Sequence, residues 1–124
     1  MVFVLSRSYK MSKRKIEAYI PKAIEAIESL EIVNRDGEVA KQFNGYIASF
    51  GASIRQAGLL VTALFYANAN SNAEKEREKV VKAIEMMIGH NIINHNNKIE
   101  KSTRTKVEDA AIALKLAIRT YKLV

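Results

Sequence analysis

Apolar residues recur at intervals of three and four along nearly the whole of this 124-residue chain. Strict alternation of apolar and polar residues is nearly absent beyond the first few positions. A repeat of three and four places apolar side chains on one face of a helix, whereas alternation indicates a strand. The sequence therefore predicts an all-α protein. We expect a single compact helical bundle of about five helices, in one domain that covers residues 1–124.

Composition limits what else the chain can be. It contains no cysteine, which excludes a disulfide framework, a thiolate zinc site and a thiol nucleophile. The longest apolar stretch, residues 57–67, is about half of the ~20 residues that a membrane helix needs. The apolar run at residues 1–5 is too short for the core of a signal peptide. We therefore expect a cytoplasmic protein with no membrane partner.

The first three helices are predicted from apolar stripes and turn residues. Pro21 either kinks the first helix or divides it, with one helix ending near Tyr19 and another starting at Pro21. We favour one kinked helix from about Arg7 to Ile32, because its apolar stripe keeps the same phase on both sides of Pro21. Asp36 is positioned to cap the second helix, and Gly51 to end it. The third helix, residues 52–69, is apolar on nearly all sides from residue 57 onward. A helix of that kind belongs at the centre of a bundle, so we expect the third helix to be buried there.

Two further helices follow. Ser71 and Glu74 have the spacing of a capping box for the fourth helix, which Gly89 ends. Residues 90–98 are rich in asparagine and read as a loop. Thr105 and Glu108 repeat the capping-box spacing at the start of the fifth helix. Its core stripe consists of Val107, Ala110, Ala111, Leu114, Ala117, Ile118 and Tyr121.

The fifth helix also carries a second apolar strip, formed by Ile112, Leu116 and Leu123. Either the first helix or the loop covers this strip, or the strip contacts another protein.

Little in the sequence indicates catalysis. A glycine-rich phosphate loop, an HExxH motif and a Ser/His/Asp grouping are all missing from the sequence. His90 and His95 could act as acid and base in RNA cleavage or as metal ligands, but their spacing is not a standard ligand pairing. We interpret both as solvated loop residues, and we predict no catalytic residue, no metal site and no cofactor.

The formal charge of +7 is concentrated at the two ends of the chain. Residues 1–22 carry a net charge of +5 and residues 98–124 carry +4. In the first helix the basic residues precede the acidic ones, which opposes the preference of the helix dipole. This order indicates either an anion-binding surface, most plausibly for nucleic acid, or a solvated face that keeps the protein soluble.

The aromatic side chains fall on core stripes, so base stacking is less favoured than packing. The third helix is too apolar to act as a recognition helix in a DNA groove. Contact with backbone phosphates, independent of base sequence, is the binding mode that remains.

One segment resembles a known family. Residues 46–66, and above all the run Ile54-Arg55-Gln56-Ala57-Gly58-Leu59, resemble the central segment of the small helical subunit of the Cmr complex, the type III-B CRISPR effector that targets RNA. The resemblance extends more loosely to the basic first helix around residues 13–19 and to residues 113–119. We interpret Gly58 as a residue that permits close helix packing.

The resemblance implies a non-catalytic subunit of a ribonucleoprotein. Such a subunit packs along the backbone subunits and other subunits of the complex and contributes basic surface to the channel in which guide RNA and target RNA pair. It also suggests that basic side chains hold the RNA backbone. The candidates are Lys10, Arg14, Lys15, Lys22 and Arg55, with Arg104, Lys115 and Arg119 as a second patch.

Other functions remain open at this point. The chain could be the small subunit of another CRISPR effector, a free-standing helical adaptor that binds protein through Ile112 and Leu116, or a small ribonuclease that uses His90 and His95. In isolation we expect a monomer or weak self-association.

Overall fold

The described part of the chain contains five helices and one short pair of strands, which confirms the all-α class. The computed structural model describes the backbone of residues 2–67 and 72–124, and the side chains of residues 15–67 and 76–124. The helices are α1 (Val2–Ser29), α2 (Lys41–Ala57), α3 (Leu59–Ala67), α4 (Asn72–Ile88) and α5 (Thr103–Ile118). The strands β1 (Glu38–Val39) and β2 (Lys122–Leu123) pair in parallel, with Val39 opposite Leu123.

Helix α1 is continuous across Pro21, as predicted, and starts earlier than predicted, at Val2. It ends at Ser29 and not at Ile32. The amide of Ile32 donates to the carbonyl of Ile27 at 3.0 Å and the amide of Glu31 to that of Glu28 at 3.2 Å, while Glu31 has φ of 57°. This is the Schellman termination of a helix, in which the left-handed residue is usually glycine. The sequence did not reveal this helix end because a glutamate occupies that position.

The start of α2 depends on a distant residue. Asp36 was predicted to cap this helix, which is wrong, because α2 begins only after Ala40, whose side chain makes no capping bond. The amide of Lys41 instead donates to the carbonyl oxygen of Val124 at 2.9 Å. The amide of Asp36 itself donates to Oδ1 of Asn34 at 3.0 Å, within the turn that precedes β1.

The boundary between the second and third helices lies at Gly58, seven residues after the predicted one. Helix α2 runs through Gly51 and ends where Gly58 adopts φ of 89° and donates its amide to the carbonyl of Ile54 at 3.0 Å. A Cβ added at Gly58 would meet nothing within 4 Å. The glycine is therefore required by its backbone conformation and not by close helix packing, which corrects the interpretation from the sequence.

Helix α3 is not the buried centre of the bundle, so that prediction is wrong. Among the described residues its main contacts are with its neighbours α2 and α4, and Val61, Leu64 and Phe65 are each 55–56% exposed. Its buried face consists of Leu59, Thr62, Ala63 and Tyr66. The helix is short and lies at the edge of the bundle, so most of its apolar surface has no partner among the described residues.

Helix α5 occupies the centre instead. It packs against α1, α2 and α4, and its contact with α1 is the most extensive between any two helices. Half of its residues are buried, and four of these are alanines: Ala110, Ala111, Ala113 and Ala117. Small side chains let neighbouring helices approach closely, so a helix of modest hydrophobicity becomes the core. The helix starts at Thr103, and the predicted cap Thr105 lies exposed within its first turn.

The predictions for α4 and for the loop after it are largely confirmed. Helix α4 buries Val80, Val81, Ile84 and Met87, and Gly89 follows its end with φ of 83°. Ser71, the predicted cap, lies outside the described residues. In the asparagine-rich loop, Oδ1 of Asn94 accepts the amides of Asn96 at 2.9 Å and Lys98 at 3.0 Å, which closes the turn.

The left-handed conformation of Glu31 generates a stability prediction. Glu31→Gly should raise the free energy of unfolding by roughly 0.5–1 kcal/mol, because the strain of an L-residue at positive φ is removed. Glu25→Gly, an exposed change within α1, should lower it by about 1 kcal/mol. Urea denaturation followed by circular dichroism measures both values. A destabilisation by both substitutions would contradict the assigned helix end.

Candidate nucleic-acid interface

Two predicted RNA-binding residues line a cleft between α1 and α5, which we call the α1/α5 cleft. Its volume is about 580 Å³, and Lys15 and Lys22 enter it from α1 while Lys106 enters it from α5. Lys15 and Lys22 are exposed and Lys106 is half-buried. The remaining lining side chains are those of Ala18, Tyr19, Ser102, Thr105 and Asp109. Three cations from two helices therefore surround one concave surface.

Lys106 was not among the predicted site residues. It is separated from Lys15 and Lys22 by more than eighty positions in the sequence, and only the packing of α5 against α1 brings them together. The second patch predicted from the sequence consisted of Arg104, Lys115 and Arg119 and did not include Lys106.

One carboxyl group lies among the three lysines. Partial burial raises the pKa of Asp109 above its ordinary value, and Glu108 adds to this effect, whereas the charge of Lys15 opposes it. Burial, and then the charge of Asp109, also raise the pKa of Tyr19. The ammonium group of Lys22 lies 5.8 Å from the centroid of the Tyr19 ring, a cation–π contact. The cleft combines cationic, hydrogen-bonding and aromatic groups.

A second, smaller groove lies between α2 and α5, and we call it the α2/α5 groove. Its volume is about 280 Å³, and it brings together two further predicted residues, Arg55 of α2 and Lys115 of α5. Glu108 and Ile112 also line it. Two cations face one carboxylate in this groove, whereas three cations face one carboxyl group in the α1/α5 cleft.

The predicted second basic patch is divided in the structure. Nε of Arg104 donates to Oε1 of Glu108 at 2.8 Å, so this arginine forms an ion pair along α5. Arg119 is exposed at the C-terminal end of α5, and only Lys115 lines the groove beside Arg55. Lys10 and Arg14 belong to α1, but their side chains lie outside the described residues.

The predicted apolar strip is also divided. Ile112 and Leu116 are 48% and 46% exposed on neighbouring turns of α5. Leu123 is not part of this strip, because α5 ends at Ile118 and Leu123 lies in β2, partly buried against the core. The prediction from the sequence extended the helical stripe five residues beyond the end of α5. Ile112 and Leu116 lie on the ridge of α5 that separates the α1/α5 cleft from the α2/α5 groove.

The two histidines lie apart from these clefts, in the loop that follows α4. Both are exposed, and Nδ1 of His90 lies 2.9 Å from the carbonyl oxygen of Asn91. Within the described ranges no group of three or more His, Asp or Glu residues could hold a metal ion.

Comparison with known proteins decides the family. The family model described as "CRISPR-associated protein (Cas_Cmr5)" matches residues 16–120, which is most of the chain. The chain belongs to the Cas_Cmr5 family. As a Cas_Cmr5 protein it is the small subunit of a Cmr, or type III-B, CRISPR complex, which confirms the resemblance seen in the sequence. No curated protein and no solved structure gives a significant match.

The Cas_Cmr5 match includes Lys22, Lys106 and Asp109 of the α1/α5 cleft, as well as both members of the basic pair in the α2/α5 groove. Lys15 directly precedes the matched region. Among the residues that the structure describes, no helix is long and apolar enough to cross a membrane.

The raised pKa of Asp109 gives a pH-dependent prediction. A carboxyl group whose pKa is higher in the folded than in the unfolded chain lowers the free energy of unfolding at pH 7. This destabilisation disappears as the pH falls through the folded pKa and then through the unfolded value near 3.8. Asp109→Asn should therefore raise the melting temperature at pH 7 and have little effect near pH 3. Asp36→Asn, in an exposed turn, is the matched control. Thermal melts at both pH values measure the difference, and a lower melting temperature for Asp109→Asn at pH 7 would contradict the assignment.

Proposed function

We propose that this Cas_Cmr5 subunit is non-catalytic and holds the sugar–phosphate backbone of RNA in its α1/α5 cleft within the Cmr complex. The observation that carries the proposal is the convergence of Lys15, Lys22 and Lys106 from two helices around a single cleft with one carboxyl group. Backbone contacts of this kind need cations but no pattern of base-specific donors and acceptors. The guide and target strands of the complex are the proposed ligands.

The arrangement of charges on α4 provides a contrast. Lys82 lies 3.2 Å from Glu78 in an ion pair between successive turns, so its charge is offset within its own helix. The lysines of the α1/α5 cleft share one carboxyl group, Asp109, whose pKa is itself raised. A net positive cleft attracts a polyanion, whereas a helix face of alternating charges is typical of solvated surface.

The exposed ridge of α5 supports a protein contact beside the RNA. Ile112 and Leu116 are about half exposed, and the ridge that they form borders the α1/α5 cleft. We assign this ridge to contact with the larger backbone subunits of the complex. A subunit bound through the ridge would hold its adjacent cleft at a fixed position along the RNA.

Charge reversal tests the RNA site. The triple variant Lys15→Glu/Lys22→Glu/Lys106→Glu should weaken retention of single-stranded RNA at least tenfold. It should also reduce the slope of log affinity against log salt by up to about 2, because each phosphate that is no longer neutralised removes roughly 0.7 from that slope. Filter binding of the assembled complex at several salt concentrations measures both quantities.

The control carries the same change of charge elsewhere. Arg35, Lys41 and Lys98 are exposed and lie outside the α1/α5 cleft, so their replacement by glutamate should change affinity only slightly. Circular dichroism checks that both triple variants keep their helicity. Equal RNA affinity for the two variants would refute the α1/α5 cleft as the site.

The protein contact has a separate test. Ile112→Asp/Leu116→Asp should reduce the amount of this subunit that co-purifies with the larger Cmr subunits, because burial of two charges at the contact is unfavourable. Met86→Asp, at a residue of α4 that is 44% exposed, is the control. Undiminished co-purification of the double variant would show that the ridge is not the contact.

A further inference from the structure

The exposed side of α3 borders a second cleft whose lining differs from that of the α1/α5 cleft. This cleft lies between α2, α3 and α4 and has a volume of about 500 Å³, and we call it the α2/α3/α4 cleft. Its size lies within the range of about 300–1,000 Å³ that is typical of ligand pockets. Its principal lining side chains are those of Gln42, Tyr46, Ser49, Ser53, Phe65 and Arg77.

Two flat groups, the Phe65 ring and the Arg77 guanidinium, form one wall of the cleft. The guanidinium group of Arg77 lies 5.5 Å from the centroid of the Tyr46 ring and 5.6 Å from that of the Phe65 ring. Phe65 nevertheless remains 55% exposed. Both a phenyl ring and a guanidinium plane can stack on a nucleobase. Phe65 was predicted to lie on a core stripe, where packing is favoured over base stacking, and its exposure shows that this placement is wrong for Phe65.

The position of the wall is fixed by the residues behind it. The hydroxyl of Tyr66 donates to the carbonyl oxygen of Tyr46 at 3.0 Å, and the Tyr66 ring meets Phe50 edge to face at 5.0 Å. The Phe65 ring in turn packs against the Tyr66 ring with centroids 6.0 Å apart. An aromatic surface that is held in place loses little conformational freedom when a ligand stacks on it.

The polar groups in the cleft also suit a base. Gln42 and Ser49 supply hydrogen-bond donors and acceptors, and Arg77 supplies a permanent positive charge. Among the lining residues that the structure describes there is no carboxylate. A planar ligand with polar edges and an attached phosphate matches this set.

We propose that the α2/α3/α4 cleft binds one unstacked base of single-stranded RNA, with Phe65 and Arg77 as the stacking surface. The inference rests on the proposed function, because it adds a base contact to the backbone contact that we propose for the α1/α5 cleft. Stacking depends on the flat face that every base possesses, so the site accepts bases without strong sequence preference.

Two RNA probes of equal length distinguish base from backbone binding. One is a fluorescently labelled oligouridine, and the other is the same sugar–phosphate chain without bases. The wild-type full chain should bind the oligouridine more tightly. Phe65→Ala should lower oligouridine affinity by roughly 5- to 150-fold, the range that corresponds to the removal of one stacked base, and leave affinity for the abasic probe unchanged. Fluorescence anisotropy measures both affinities.

Two further variants distinguish stacking in the cleft from general effects of substitution and charge. Leu64→Ala removes a neighbouring side chain of α3 that is equally exposed but does not line the cleft, and it should change neither affinity. Arg77→Lys retains the charge but loses the guanidinium plane, so it should reduce the preference for the oligouridine and leave abasic binding unchanged.

Three results would contradict the base site, and each leads to a different conclusion. If Phe65→Ala binds both probes as the wild type does, or weakens both equally, the base site is refuted while the α1/α5 cleft stands. If the wild-type chain binds neither probe, the base site is refuted, whereas the α1/α5 cleft is refuted only by the charge-reversal test in the assembled complex. If Phe65→Ala keeps its oligouridine affinity but no longer co-purifies with the larger Cmr subunits, the cleft binds protein and not a base.

Discussion

Helix α5 buries one whole side against α1, α2 and α4, and the other elements take their positions from this packing. Its buried alanines allow the neighbouring helices to approach closely. Leu114, Val107 and Ile118, which are fully buried, fill the space between them. Each such side chain contributes about 1.5–3 kcal/mol through burial. Because α1 and α2 lie on opposite flanks of α5, the two clefts that contain predicted RNA-binding residues follow directly from this arrangement.

The segment that follows α5 bonds to residues at the start of α2 and so fixes their position as well. Strand β2 pairs with β1, the amide of Val124 donates to the carbonyl of Val39 at 2.9 Å, and the carbonyl of Val124 accepts the amide of Lys41 at 2.9 Å. The final residue therefore satisfies one of the amides that a helix start leaves without a partner. The central helix and its C-terminal strand thus hold the first half of the protein in position relative to the second.

Local patterns in the sequence predicted the features that depend on neighbouring residues. The spacing of residues predicted four features: the helical periodicity, the continuity of α1 through Pro21, the end of α4 before Gly89, and nearly the whole buried stripe of α5. The clustering of Lys15 with Lys22 also follows from their positions on one helix. The family was recognisable from the run around Gly58, which the family match now includes.

The features that the sequence did not reveal depend on distant parts of the chain. Hydrophobicity alone favoured α3 as the centre, whereas the alanines of α5 allow closer packing and leave α3 at the edge with Phe65 exposed. Lys106 could join the basic cleft only after α5 was placed beside α1. The Val124 carbonyl that receives the first amide of α2 comes from the opposite end of the sequence. In each case a residue's role was set by tertiary packing.

Crosslinking of RNA to protein in the purified Cmr complex, followed by mass spectrometry of the crosslinked peptides, tests whether the α1/α5 cleft holds RNA. We expect crosslinks at Lys15, Lys22 and Lys106, which belong to two distant segments of the chain that meet in the α1/α5 cleft. Crosslinks confined to α4 around Lys79 and Lys82, or no crosslink to this subunit at all, would contradict it.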